Sequence, residues 1–238
     1  GPGRVESALT PRRAMTDPRF IHLRLHSEYS IVDGTVRVDD AVARACADGM
    51  PALAITDLSN LFGAVKFYTA ARGKGVKPVV GCDCWLTNPD DRDKPFRILL
   101  LTQDREGYLR LCRWLTRAFR ENQHRGRAEL DREWLREDGT GGLIALSGGS
   151  AGDIGQALVA GNADRADALA RDWQTLFPGR FYLEFQRAGH PESAAIEPAL
   201  LALAARLRLP PVATHPIQFL DADQFQAHEA RVCIAEGH

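Results

Sequence analysis

The residues able to do chemistry gather where short apolar runs end. His22, Arg24 and His26 alternate along the first such run, and alternate residues of a strand share a face. Asp57 closes the next run, Asp83 stands within a third, Arg97 opens a fourth and His215 follows a late one. Imidazole nitrogens beside carboxylate oxygens make a cradle for zinc or manganese. The two arginines argue the other way. A guanidinium is a permanently charged donor and cannot ligate a metal. Set between two histidines, it repels a cation and pairs with a carboxylate. Taken singly, each residue also has an ordinary structural role. His22 can be packed or at the surface, Asp57 can cap the next helix, His215 before Pro216 can close a turn, and His228 falls inside a helix.

The elements that must position these side chains follow from apolar spacing. Strands are expected at 20–26, 51–57, 79–86, 97–102, 143–146, 180–185 and 211–214. Helical spacing marks 38–48, 60–72, 106–120, 153–159, 163–177, a helix running to about 207, and 223–235. Pro198 is read as a kink or as the true first turn of the helix that holds it. An Arg- and Gly-rich loop is expected around Arg125 to Arg127. Strand-then-helix units without a glycine-rich dinucleotide fingerprint favour an α/β barrel, with an open parallel sheet as the alternative. In such a barrel the strand ends converge on one mouth, where chemistry sits.

The chain has 238 residues, 45% of them hydrophobic, which suits one large domain, expected over 16–238. Gly1-Pro2 looks like a protease scar and Met15 like a natural start, so 1–15 is expected to be a leader. A net charge of -1 argues against a stand-alone nucleic-acid binder. The five cysteines are odd in number, and no pair has zinc-knuckle spacing. They read as small, mostly buried apolar residues of a cytoplasmic protein, with Cys82 and Cys84 on one strand face. No apolar run approaches the length of a membrane span.

Arg110, Arg113, Arg117 and Arg120 recur at helical spacing, opposite an apolar stripe of Tyr108, Leu111, Cys112, Leu115 and Phe119. His124, Arg125 and Arg127 extend the positive charge. This is either a solvated outer face or a contact for a DNA backbone or an acidic partner. Without interleaved aromatics it is no stacking platform for single strands.

The run His22-Leu23-Arg24-Leu25-His26-Ser27-Glu28-Tyr29-Ser30 with Asp33-Gly34 resembles the opening of the polymerase-and-histidinol-phosphatase (PHP) domain of bacterial DNA polymerase III alpha subunits. Ala54-Ile55-Thr56-Asp57-Leu58 with Asn60 and Gly63 resembles its second motif, and Gly81-Cys82-Asp83 its third. Gly107-Tyr108, Leu146-Ser147-Gly148-Gly149 and His228-Glu229-Ala230-Arg231 also fit, so the resemblance covers about 18 to 237. It implies a distorted, TIM-like (β/α)7 barrel. Family members with an intact site hold three metal ions, zinc or manganese, and can act as phosphoesterases. Here His26, Asp33 and Asp83 stand at ligand positions. Arg24, Leu58 and Arg97 replace histidines, Gly149 replaces a ligand, and Pro216 and Gln218 occupy the final Asp and His positions.

The resemblance therefore implies a degenerate metal site, with no catalytic residue and no cofactor in this domain. Magnesium would belong to a polymerase palm outside this chain. Arg–carboxylate pairs are expected to brace Asp33, Asp57 and Asp83 in place of metals. It further implies a scaffold inside a bacterial cytoplasmic polymerase. That scaffold would contact the rest of the alpha subunit and the proofreading exonuclease (epsilon) subunit, touch DNA at most indirectly, and have no membrane contact. The alternative is a residual metal-dependent phosphoesterase, a 3′–5′ exonuclease or pyrophosphatase, using His26, Asp33, Asp83 and His215. A histidinol-phosphatase-like enzyme is a third reading, opposed by the Asp57-Leu58 break.

Overall fold

The computed structural model describes residues 20–236, so the expected leader at 1–15 lies outside the described residues. The strands are β1 (Ala52–Ile55), β2 (Lys77–Leu86), β3 (Phe96–Thr102), β4 (Gln123–His124), β5 (Arg127–Leu130), β6 (Leu143–Leu146), β7 (Phe181–Gln186) and β8 (Pro211–Thr214). The helices are α1 (Val38–Ala47), α2 (Ala64–Gly73), α3 (Arg105–Glu121), α4 (Arg132–Asp138), α5 (Asp153–Val159), α6 (Ala163–Leu176), α7 (Pro191–Leu207) and α8 (Phe225–Glu236).

The strands follow the order β4-β5-β2-β3-β6-β7-β8, with β1 also on β2. Every residue of β1 is buried, as in a parallel strand covered on both faces. β1–β2, β6–β7 and β7–β8 pair in parallel. β3 runs antiparallel to both β2 and β6, which departs from the expected all-parallel repeat.

The expected first strand is not a regular strand. Its residues lie extended beside β1, where the Ala54 N–H donates to the His22 carbonyl at 3.0 Å and the Thr56 N–H to the Leu25 carbonyl at 2.9 Å. On its other side the His26 N–H donates to the Ile217 carbonyl at 2.8 Å and the Ile217 N–H to the Arg24 carbonyl at 3.3 Å. These form one isolated bridge, Leu25 with Ile217, so no ladder closes the ring. The architecture is a distorted, open-seamed barrel.

Alternation along the strands separates two apolar layers. Ile98 and Leu100 of β3 join Cys82, Cys84, Trp114, Trp173 and Phe181 beneath the helices. Leu99 and Leu101 point the other way, with Leu146, into the barrel interior. Leu25, Val42, Leu53 and Phe67 form a third cluster under α1 and α2.

Several local expectations need correction. The Arg- and Gly-rich loop is a β4–β5 hairpin turned by Arg125 and Gly126 at φ 48° and 76°, as a two-residue turn with both φ positive requires. α2 begins at Ala64, not 60, and α4 was not foreseen. α7 starts at Pro191 and carries Pro198 inside it, so Pro198 is not its first turn. The core side of α3 is Leu111, Trp114, Leu115 and Ala118, while Phe119 is exposed. Cys82 and Cys84 are buried, whereas Cys46 and Cys233 are exposed.

Candidate functional site

The antiparallel direction of β3 puts the start of that strand at the same end of the barrel as the ends of its parallel neighbours. Arg97 therefore faces Asp83 across the β2–β3 pair, two registers from Leu99 and on its interior side. Arg24 and His26 enter from the first extended segment, Glu184 from β7, and Pro216 and Gln218 from the turn after β8. With Asp33 and Gly148, all but Glu184 line one cavity of about 330 Å³.

Asp83 is the hub of this mouth and is 0% exposed. Arg24 Nη1 donates to Asp83 Oδ2, and Arg97 Nη2 donates to the same oxygen. Arg97 Nε donates to Asp83 Oδ1 at 3.1 Å. His26 Nε2 lies 3.1 Å from Asp83 Oδ2, and its Nδ1 lies 2.8 Å from Asp33 Oδ2. Asp33 also accepts from Ser30 Oγ at 2.7 Å and Gln218 Nε2 at 3.0 Å.

Arg24 carries a second, bidentate pair. Its Nε and Nη2 each donate to an oxygen of Glu184 at 2.9 Å, a fork-to-fork geometry that fixes both side chains. Glu184 is 0% exposed and also accepts from the Gly148 N–H at 3.0 Å and from Thr214 Oγ1. The Arg97 guanidinium stacks 4.4 Å over the Trp85 ring, and Arg127 approaches the same ring at 5.7 Å.

The electrostatics follow from these contacts. Burial alone would raise the Asp83 carboxyl, but Arg24 and Arg97 hold it far below the usual carboxylate range. Glu184 is likewise lowered by Arg24 against the pull of burial. Burial disfavours the charged His26, yet its bonds to Asp33 and Asp83 raise it. His26 in turn lowers Asp33 against burial.

Other expected members sit apart. Asp57 is pushed up by burial, pairs with neither arginine, and accepts from the Ser27 N–H at 2.6 Å and Ser27 Oγ at 3.0 Å. The expected arginine brace is therefore replaced by a serine cap at Asp57 and by His26, Ser30 and Gln218 at Asp33, so that of the three acids only Asp83 is held by arginine. Leu58 is buried and bridges the Asp83 backbone. Gly149 is buried at φ 60° beside Gln186, behind the mouth. His215 is not in the mouth. It lines a separate cavity with His22, which the irregular first segment leaves apart from Arg24 and His26. The basic face of α3 is only partly free. Arg110 donates to the Gly141 carbonyl, and Arg117 stacks on Trp134 at 4.3 Å and bonds Glu121 and Glu137 at 3.2 and 3.5 Å. Arg113 and Arg120 remain exposed.

Chemically, the mouth is a knot of satisfied ion pairs. The ring nitrogens of His26 and the carboxylate oxygens of Asp83, Asp33 and Glu184 are bound to one another or to arginine, hydroxyl and amide donors, while the exposed His190 stands at the rim. Among the described residues no group of three or more His, Cys, Asp or Glu stands in an arrangement that could hold a metal ion. Glu184 was the member that spacing did not single out. A carboxylate inside the apolar run Phe181–Gln186 is the one sequence feature that could have pointed to it, though not to its partner.

The PHP domain family matches residues 22–188. The chain belongs to that family. This PHP domain is 49% identical over 225 residues to the DNA polymerase III subunit alpha of Neisseria meningitidis serogroup A, covering 94% of this chain and 20% of the relative. It is 45% identical over 218 residues to that of Pseudomonas fluorescens (92% and 18% covered) and 41% identical over 223 residues to that of Escherichia coli K12 (94% and 19% covered). It thus spans about a fifth of the length of these curated relatives.

Two solved structures share the PHP domain's fold. One is from Bifidobacterium adolescentis and described as a metal-dependent phosphoesterase, at TM-score 0.53 and 15% identity. The other is an amidohydrolase from Chromobacterium violaceum with bound sulfate and no metal, at TM-score 0.53 and 16% identity. Each comparison covers 89% of this chain and 96% of the other. At such identity the likeness is one of fold alone.

Proposed function

We propose that this PHP domain is the catalytically silent N-terminal domain of a bacterial replicative DNA polymerase III alpha subunit, working in the cytoplasm. There it braces the polymerase and docks the proofreading 3′–5′ exonuclease (epsilon) subunit. The observation that carries the silent part is Arg24, which reaches Asp83 and Glu184 together while Arg97 holds Asp83 from the other side. A zinc or manganese cluster needs free imidazole and carboxylate lone pairs. The donors at His26, Asp33 and Asp83 are engaged, and the two nearest cations are covalently part of the chain. The residues present do not fit the metal cluster of intact family members. The similarity to polymerase alpha subunits supports the docking part, and no helix among the described residues is long and apolar enough to cross a membrane.

The test pairs two measurements. Size-exclusion chromatography of the chain with the exonuclease subunit is expected to show co-elution, and separate elution would remove the docking role. With added Mn²⁺ or Zn²⁺, an end-labelled oligonucleotide is expected to stay intact. Cleavage that disappears in Asp33→Asn would restore the phosphoesterase reading.

A further inference from the structure

On the outer side of the seam lies a second cavity of about 250 Å³, which the proposed function leaves unused. Its floor is apolar: Leu25, Met50, Leu53, Ile217 and Phe219. Two imidazoles stand at it. The His22 and His215 rings are 6.4 Å apart between centroids and inclined at 64°. His22 Nδ1 is buried without a hydrogen-bond partner among the described residues. A buried polar atom of that kind is costly to leave unpaired and calls for a ligand or a bridging group. The two rings come from different sides of the seam, His22 from the first extended segment and His215 from the turn after β8.

We propose that His22 and His215 form a site for one divalent transition-metal ion of the zinc type, which staples the seam of the barrel. Imidazole suits zinc, copper and nickel over magnesium or calcium. With Zn–N bonds of about 2.0–2.1 Å, a tetrahedral ion spaces two imidazole centroids by roughly 5 Å. The rings must therefore approach by about 1 Å, and the exposed His215 side chain is free to turn. Water completes the coordination shell. Arg44 also lines the cavity, but it is held by Asp48 and Asp221 at 3.3 and 3.5 Å. All three of these side chains are about half exposed, so the charge of Arg44 is largely screened. The ion would bridge the place where one backbone bridge stands instead of a ladder. Binding there adds a constraint to the folded state alone and stabilises it by mass action.

The experiment uses the chelator-stripped 238-residue chain. Titration with Zn²⁺ in a calorimeter is expected to show one equivalent bound and a rise in melting temperature. His22→Gln and His215→Gln are each expected to weaken that binding by about tenfold or more. Because His22 is partly packed, so that its loss can disturb folding, the exposed His215 decides. Electron paramagnetic resonance with Cu²⁺ as the probe then counts the ligands. Nitrogen couplings from two imidazoles are expected in the wild type and from one in His215→Gln. No binding, equal affinity in His215→Gln, or an unchanged nitrogen count overturns the site.

Discussion

At the residue scale, one atom pair separates bracing from capping. Asp83 on β2 and Asp57 just past the end of β1 are both buried acids, yet Asp83 pairs with two guanidiniums, with Glu184 balancing the second charge, and Asp57 accepts from a serine. Removing Arg24 leaves Asp83 short of one partner and Glu184 without its fork. Breaking a buried ion pair from one side costs about 3–5 kcal/mol. Arg24→Ala is therefore expected to lose that much in urea unfolding, while Asp57→Asn, whose amide can still bond Ser27, loses less than about 1 kcal/mol. Equal losses would show that the two acids play the same part. Arg24, Arg97 and Asp83 were legible in the sequence, because residue type alone said that guanidiniums beside a carboxylate would pair. Their third partner was not, since Glu184 lies far along the chain and only the fold brings it to Arg24.

At the element scale, most helices and strands were legible from apolar spacing, and what failed was direction and regularity. Nothing in the run Phe96–Thr102 distinguishes an antiparallel from a parallel strand, because both of its faces are buried. The first segment alternates like a strand but has only isolated bridges, so period two placed His22 in the wrong cavity. Short elements escaped too: the β4–β5 hairpin is set by its turn and α4 by its cap, not by a long apolar pattern. Caps are a place where one side chain governs an element. Asp104 accepts from the Gly107 N–H at 2.8 Å and opens α3, whose buried face carries Trp114. Asp104→Ala is expected to cost about 0.5–2 kcal/mol, read by thermal or urea unfolding. No change would mean that packing alone sets the start of α3.

At the scale of the whole molecule, the mouth makes stability depend on acidity. Asp83, Glu184 and Asp33 are lowered in the folded chain, so their contribution is present above the ordinary carboxylate values and fades as pH falls through the folded ones. His26 is raised, so its contribution is full below its unfolded value and fades as pH rises through the folded one. Asp57, raised by burial, opposes the other acids. The urea midpoint is expected to be highest between about pH 4.5 and 6.5, to fall steeply below about pH 4 and to decline gently above about pH 6.5. A midpoint constant from about pH 3 to 6 would mean that the knot contributes nothing net. The antiparallel β3 has one more consequence, in time rather than in space. β2 and β3 are joined by a short loop and pair from Gly81 with Leu101 to Leu86 with Phe96, whereas the seam joins Leu25 to Ile217. Loop-closure entropy favours the near pair over the distant one, and local contacts form fast. The reversed strand is thus expected to give a barrel of slow, far-flung pairings a nucleus in its middle, from which assembly spreads to both edges and meets last at the seam.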